Sequence, residues 1–343
     1  MAHGGTNFGF WAGANHTGVR PEGPGHQPTV TSYDYDAPIG EAGELTPRFH
    51  ALREVIGRYL PLPEGPLPGP PARMRPAAAV PAGSADLLGL LDTLPSPAGG
   101  PLRRAVPESM ERVGQDRGMI HYRTRIGGPR PAEPLRVDGL GDRAYAFADG
   151  VPLGVLDRER PDEGPEPAVG PAGVVLDLLV LARGRVNYGP LLADRKGIGR
   201  GVRPGRQHLF TWEVRRLPFD AEDTVRLHAA VRDPAGAEPP RPGRLSLHRF
   251  THLAEHPPAD GFVDTAGWGT GLIWLNGFLL GHYDAPRGPQ RTLYAPAPLW
   301  RSGGPDPGAG PDELLVLELD RPGPGLSLRD RPDLGRPTPF PPE

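Results

Sequence analysis

Apolar residues recur with two different periods along the chain, and the change of period divides it. Phe49, Leu52, Val55, Ile56 and Tyr59 stand three or four apart, the spacing of one helical face. Thr46 before Pro47 supplies an N-cap and a first helical position, and Pro61 and Pro63 stop the element. The residues ahead of this helix read as loop. Prolines at 61, 63, 66, 68, 70, 71, 76 and 81 predict an extended linker over 61–83. The apolar stretch 87–94 fits either a helical turn or a strand.

Past residue 100 the period falls to two. Ile120, Tyr122, Thr124 and Ile126 alternate with His121, Arg123 and Arg125, which predicts a half-buried strand. Runs 142–148 and 151–156 flank Asp149-Gly150, and the apolar run 272–280 surrounds Asn276-Gly277. Both pairs predict hairpins, because the two central turn positions need positive φ. Further strands are expected at 174–181, 209–217, 224–231, 245–252, 292–294 and 313–319. From Arg321 onward, repeated Pro and Gly predict a loose tail. No fixed internal period links the two strand-rich stretches.

Composition supports an all-β reading. The 343 residues include 49 Gly and 48 Pro, a share that would suggest disorder. Five Trp, eight Tyr and ten Phe fall instead in the short apolar runs, as in domains of short strands joined by Gly/Pro turns. A formal charge of −3 offers no broad basic field, so neither nucleic acid nor a membrane surface is expected as a partner. The absence of cysteine removes disulfides, thiolate nucleophiles and Cys-based zinc sites. No stretch approaches the ~20 apolar residues of a membrane span. The N-terminus lacks the charged-then-apolar order of a signal peptide, which favours the cytoplasm.

Specific motifs carry a family resemblance. Met1-Ala2-His3-Gly4-Gly5-Thr6-Asn7-Phe8-Gly9-Phe10-Trp11 and Thr31-Ser32-Tyr33-Asp34-Tyr35-Asp36-Ala37-Pro38 resemble the last strand-and-loop segment of a glycoside hydrolase family 35 β-galactosidase barrel. Leu45-Thr46 with Phe49-His50-Ala51-Leu52-Arg53 is similar to the helix that follows. Tyr122-Arg123-Thr124, Asp142-Arg143-Ala144-Tyr145 and Asp149-Gly150 resemble the first β-domain of the family, and Gly184–Gly189 with Asp194–Ile198 its long inter-strand loop. Gly267-Trp268-Gly269, Trp274-Leu275-Asn276-Gly277, Gly281, Gly288-Pro289-Gln290 and Thr292-Leu293-Tyr294 resemble its closing domain.

The resemblance implies a mainly β fold: two galactose-binding-like jelly-roll β-sandwiches behind a short α/β remnant of a (β/α)8 TIM barrel. Residues 1–60 would be the barrel remnant, 61–83 a linker and 84–220 the first sandwich. Residues 221–322 would be the second, galactose-binding-like jelly roll, and 323–343 a flexible tail. Cut off from barrel neighbours, Phe49, Val55 and Ile56 should be poorly buried.

By the same resemblance, the complete enzyme hydrolyses terminal non-reducing β-D-galactosyl residues with retention and without a cofactor. That chemistry needs two carboxyl groups about 5–5.5 Å apart, one nucleophile and one acid/base. The family's two glutamates lie in motifs upstream of the Gly-Gly-Thr-Asn-Phe run, and neither motif occurs in this sequence. The chain is therefore expected to be a truncated or mis-started product, inactive alone, with no catalytic residue of its own. A non-enzymatic β-sandwich module that binds carbohydrate or protein is the alternative. Oligomeric state is left open.

One substrate contact carries over, Tyr35, whose family counterpart borders the galactose pocket. Trp11 suits a sugar face, but packing in the core or a loop is the better reading. Asp34, Asp36, Glu41 and Glu44 share one loop and helix start, so they read as turn or helix-end carboxylates rather than a glycosidase pair. Gly4, Gly5 and Gly9 precede no Gly-Lys-Ser/Thr and read as close-packing glycines. His248, His252 and His256 stand four apart on an alternating strand without an acidic partner, so no metal site is expected. Asn187, Tyr188, Asp194 and Lys196 read as a structural loop. His282 and Asp284 stand where the family resembled usually has Arg and Trp, a departure that either weakens domain docking or marks a branch of the family.

Overall fold

The computed structural model describes residues 2–91, 100–232, 243–252, 257–302 and 310–335. The chain forms two compact units, one from Phe10–Thr29 and Leu87–Ala230, the other from Met1–Gly9, Val30–Asp86 and Val231–Glu343. Both are mainly β.

In the first of these units six antiparallel strands run in the order Val151–Asp157, Arg143–Ala148, Val174–Leu181, Met119–Ile126, Trp212–Leu217, Leu102–Arg104. Leu135–Gly141 pairs with Gly197–Pro204 in a second layer. Leu135, Val137, Ile198 and Val202 of this layer share one core with Ile120, Tyr122, Leu176 and Leu178 of the larger sheet. Each such side chain taken from water contributes about 1.5–3 kcal/mol before chain entropy is subtracted. The predicted alternation thus makes the inner face. A three-stranded ladder of Val186–Tyr188, Ala14–His16 and His26–Pro28 ties residues 10–29 to this unit.

The other unit holds a five-stranded sheet, Phe278–Asp284, Thr270–Leu275, Asp312–Glu318, Ser246–His252 and Val80–Asp86. A four-stranded sheet of Thr292–Ala295, Gly261–Asp264, Ser327–Arg329 and Ala77–Ala78 shares its core through Val263, Ile273, Leu293, Leu314, Val316 and Leu328. Both hairpins form where the turn chemistry predicts them, with Asp149 at φ 46° and Asn276 at φ 51°.

Several sequence expectations change. Residues 77–83, expected as linker, contribute strands instead: Ala77–Ala78 pairs with Ser327–Arg329, and Val80–Asp86, which runs past the expected boundary at 84, with Ser246–His252. Pro81 is tolerated because Val80–Asp86 is the last strand of its sheet. The stretch expected as tail supplies Ser327–Arg329, anchored by buried Leu326 and Leu328. Residues 87–94 begin as a helical turn, Leu87–Leu90, while 92–94 lie outside the described residues, as do 336–343.

Residues 224–231 form no strand. Ala221–Arg232 is a helix, and buried Thr224, Leu227, His228 and Val231 follow the i, i+3, i+4, i+7 spacing of a helical face. Asp220 starts it, its Oδ1 accepting the Asp223 N–H at 2.9 Å, and Glu222 and Asp223 suit the first turn.

The helix Pro47–Gly57 starts after Thr46 as predicted, yet the Thr46 hydroxyl does not cap it. That hydroxyl donates instead to the carbonyls of Pro38 (2.9 Å) and Ala37 (3.1 Å). No residue of this helix is buried, and Leu52, Val55 and Ile56 are exposed.

Candidate functional site

The segment carrying the sequence-predicted Tyr35 begins as half of a minimal ladder. Gly5–Thr6 pairs antiparallel with Ser32–Tyr33, setting Gly5 opposite Tyr33 and Thr6 opposite Ser32. Tyr33 and Tyr35 meet edge to face with ring centroids 4.9 Å apart. They are 44% and 59% exposed, so both present phenol to solvent.

Below them lies a polar knot. Glu41, only 5% exposed, accepts the Thr6 hydroxyl on Oε1 at 2.5 Å and the Ser32 hydroxyl on Oε2 at 3.2 Å. Asp34 turns back on its own loop, accepting the N–H of Ala37 at 3.2 Å and that of Glu41 at 3.0 Å. A Cβ on Gly4 would stand 2.5 Å from the Asp34 carboxyl carbon, so glycine is required there. Burial pushes the Glu41 carboxyl up to about 7, against the pull of the two hydroxyls.

The segment is anchored further by residues distant in sequence. The Thr31 hydroxyl donates to the His282 carbonyl at 2.7 Å and accepts the His282 N–H at 3.0 Å. Gln290 accepts the Ser32 N–H at 3.0 Å and donates to the Thr292 carbonyl at 2.7 Å. A side chain at Gly281 would strike Thr31, its Cβ falling 2.4 Å from Cγ2. The two short Thr31 bonds use the main chain of residue 282. They therefore do not depend on the identity of the side chain at 282.

The four carboxylates considered from sequence are all engaged. Besides Asp34 and Glu41, Asp36 pairs with Arg48, and Glu44 accepts from Arg73 at 2.9 Å. Sequence reasoning named Glu41 but missed its burial, and missed Thr6 and Ser32 as its hydrogen-bond partners. Thr6 and Ser32 stand 26 positions apart, and only strand pairing sets them side by side.

Trp11 departs from expectation. Even-numbered Ala12, Ala14 and His16 are buried, and the period-two alternation sends the indole outward, 74% exposed. The polar loop residues divide: Asn187 and Tyr188 are exposed, whereas Lys196 is 0% exposed. Lys196 Nζ donates to both Asp142 oxygens at 2.9 and 3.0 Å, and lies 3.5 Å from Asp194 Oδ2. Arg158 Nη1 joins the same two carboxylates at 2.5 and 2.6 Å. Burial alone would raise Asp142, but the cations of Lys196 and Arg158 prevail and hold it well below the usual carboxylate range. His26, lowered to about 4 by burial, is neutral beside it at pH 7.

A second buried pair went unforeseen. His121, assigned to the polar face of its strand, is buried and bonded through Nε2 to Asp177 Oδ1 at 2.7 Å. Arg123 donates to the same oxygen at 2.6 Å, directly across the ladder from Asp177. His248 and His252 pack edge-on against Trp268 and Trp300. His256 lies outside the described residues, and no cluster of three potential metal ligands occurs among the described ones.

Comparison with known proteins adds identity to this geometry. Three family descriptions match in order: glycosyl hydrolases family 35 over residues 1–59, the β-galactosidase first all-β domain over 107–218, and the β-galactosidase galactose-binding domain over 245–304. The β-galactosidases of Felis catus and Mus musculus are each 35% identical, covering 94% and 93% of this chain and 48% and 49% of their own length. That of Bos taurus is 37% identical over 93% of this chain and 48% of its own. The chain thus spans about half the length of these relatives. Among solved structures, a Pleurotus ostreatus lectin in complex with GalNAc matches at 10% identity over 77% of this chain and 81% of its own. Its TM-score of 0.18 is too low to assign a fold. With three ordered family matches and relatives aligned along nearly its whole length, the chain belongs to glycosyl hydrolase family 35 as a β-galactosidase-family protein.

Proposed function

We propose that this chain, joined to the barrel segments that carry the family's two glutamates, removes terminal non-reducing β-D-galactosyl residues from galactosides. In that reaction a carboxylate attacks the anomeric carbon while a carboxylic acid protonates the departing glycosidic oxygen. Water then cleaves the galactosyl-enzyme ester, with the second carboxylate taking its proton. Tyr35 borders the sugar, its exposed phenol free to hydrogen-bond a galactose hydroxyl or the nucleophile. Residues 1–60 are read as the end of the (β/α)8 barrel, and the strand-rich regions as galactose-binding-like jelly rolls. No cofactor is required.

Residues 1–343 by themselves are proposed to be inactive. The observation behind this is that Asp34, Asp36, Glu41 and Glu44 are each already engaged by amides, hydroxyls or arginines of the chain. The four also lie within one loop and helix start, positions 34–44, whereas a glycosidase pair must approach the sugar from opposite sides. Purified 1–343 should therefore leave nitrophenyl-β-galactoside unhydrolysed. A fusion restoring the family's barrel segments should hydrolyse it. Turnover by 1–343 that disappears in Asp34→Asn or Glu41→Gln would overturn the proposal, as would an inert but folded fusion.

A second reading, a carbohydrate-binding module without catalysis, draws on Trp11 and Tyr188, each 74% exposed. Titration of 1–343 with galactose and lactose tests it: heat release lost in Trp11→Ala would favour it, and no heat would dismiss it.

A further inference from the structure

We infer that Glu41 is a positioning residue that holds the tyrosine-bearing rim, clamping Gly5–Thr6 and Ser32–Tyr33 together from the side through their paired hydroxyls. The inference deepens the proposed function, since the importance of the rim as a galactose contact rests on that reading.

Three observations carry it. Thr6 and Ser32 are direct cross-strand partners, and their hydroxyls converge on the two oxygens of one buried carboxyl. The ladder is two residues long on each side, too short to hold its own register, so a side-chain clamp has an effect a longer sheet would mask. Tyr33 occupies the next position of the same strand, and Tyr35 packs on its ring. A displacement of Ser32 is therefore passed directly to both phenols.

The charged and titratable groups around Glu41 explain why the clamp responds to pH. Asp34 on the same loop and Glu44 before the helix are like-charged, and Arg73 neutralises Glu44. From the strand Thr292–Ala295, the Tyr294 phenol also feels the Glu41 charge. Glu41 forms no ion pair among the described residues. With a proton affinity near pH 7, its carboxyl changes state across neutrality. Ionised, it only accepts, from both hydroxyls; protonated, it donates to one and accepts from the other. The protonated form needs no buried charge, so the rim is held more firmly below pH 7 than above it.

Hydrogen exchange of the intact 1–343 chain tests this without relying on turnover. Protection factors, corrected for intrinsic exchange, should fall about tenfold for amides 32–36 between pH 6 and pH 8, one pKa unit of binding free energy being a factor of ten. Amides 119–126 should not change. Glu41→Gln, which imitates the protonated carboxyl, should keep rim protection and lose its pH dependence. Glu41→Ala should lose rim protection at both pH values. Flat wild-type protection from pH 6 to 8, or an unchanged pH dependence in Glu41→Gln, overturns the inference even if Glu41→Ala fails to fold. Absence of galactosidase activity in the barrel-restored fusion would count against the functional reading alone.

Discussion

Asp142 and Glu41, one in each compact unit, are both sealed from water, yet their surroundings have opposite effects. Asp142 is met by Lys196 and Arg158 at hydrogen-bond distance, and these cations outweigh its desolvation. Glu41 is met by two neutral hydroxyls and faces two like charges, so desolvation prevails. The same residue chemistry thus yields a permanently ionised structural brace in one place and a titrating clamp in the other. The partner's charge decides, not the depth of burial.

The largest expected effect lies in the brace. Lys196→Met leaves Asp142 and Asp194 sharing Arg158 alone, and should lower unfolding stability by about 3–5 kcal/mol, as other broken buried pairs do. Denaturant titration with exchange read at residues 119–126 would show it. A loss below about 1 kcal/mol would mean that Arg158 suffices and that the contrast with Glu41 is overstated.

The pH response should separate the two sites next. The folded-state pKa of Glu41 is raised, so its contribution is fully present below the unfolded value of 4.5 and is lost as pH rises through about 7. The size is on the order of 2–4 kcal/mol, and Glu41→Gln should flatten that part of the stability curve. Asp142 has the reverse sign. Its folded pKa is depressed, so its contribution is present above 3.8 and is lost only as pH falls below that value. Between pH 5 and 8 its brace should be silent. A stability curve that Glu41→Gln leaves unaltered would erase the difference.

Gly281→Ala probes the anchoring of the rim from the far side. Its φ of 147° and its contact with Thr31 should cost about 1–3 kcal/mol, with rim amides losing protection first. Tyr35→Phe, at an exposed position, should change stability by less than about 0.5 kcal/mol. In the barrel-restored fusion it should nevertheless lower kcat/KM about tenfold, the size of one lost hydrogen bond in the transition state. A large stability loss would show that the phenol is structural.

Much of the architecture was legible because it is written in near neighbours. Alternation located Met119–Ile126, and a continuous apolar run located Val174–Leu181. Asp149-Gly150 marked the hairpin of Arg143–Ala148 with Val151–Asp157, and Asn276-Gly277 that of Thr270–Leu275 with Phe278–Asp284. The strand expected over 224–231 gives way to the helix Ala221–Arg232, although β-branched Thr224, Val225 and Val231 favour strand by propensity. The residues that fold buries, Thr224, Leu227, His228 and Val231, follow the helical period instead. The linker expected over 61–83 gives way to strands from residue 77 because proline content is a local signal, while an edge strand such as Val80–Asp86 needs only one partner, here Ser246–His252.

By itself, then, the sequence determined the family, most of the strands and the turns, all properties of short windows or ordered motifs. The tertiary structure alone decided which charges are buried and with whom. Thr31 meets His282 across 251 residues, Ser32 meets Gln290 across 258, and Lys196 meets Asp142 across 54. A carboxylate's protonation follows from the groups the fold brings within a few ångströms. No spacing along the chain encodes that distance.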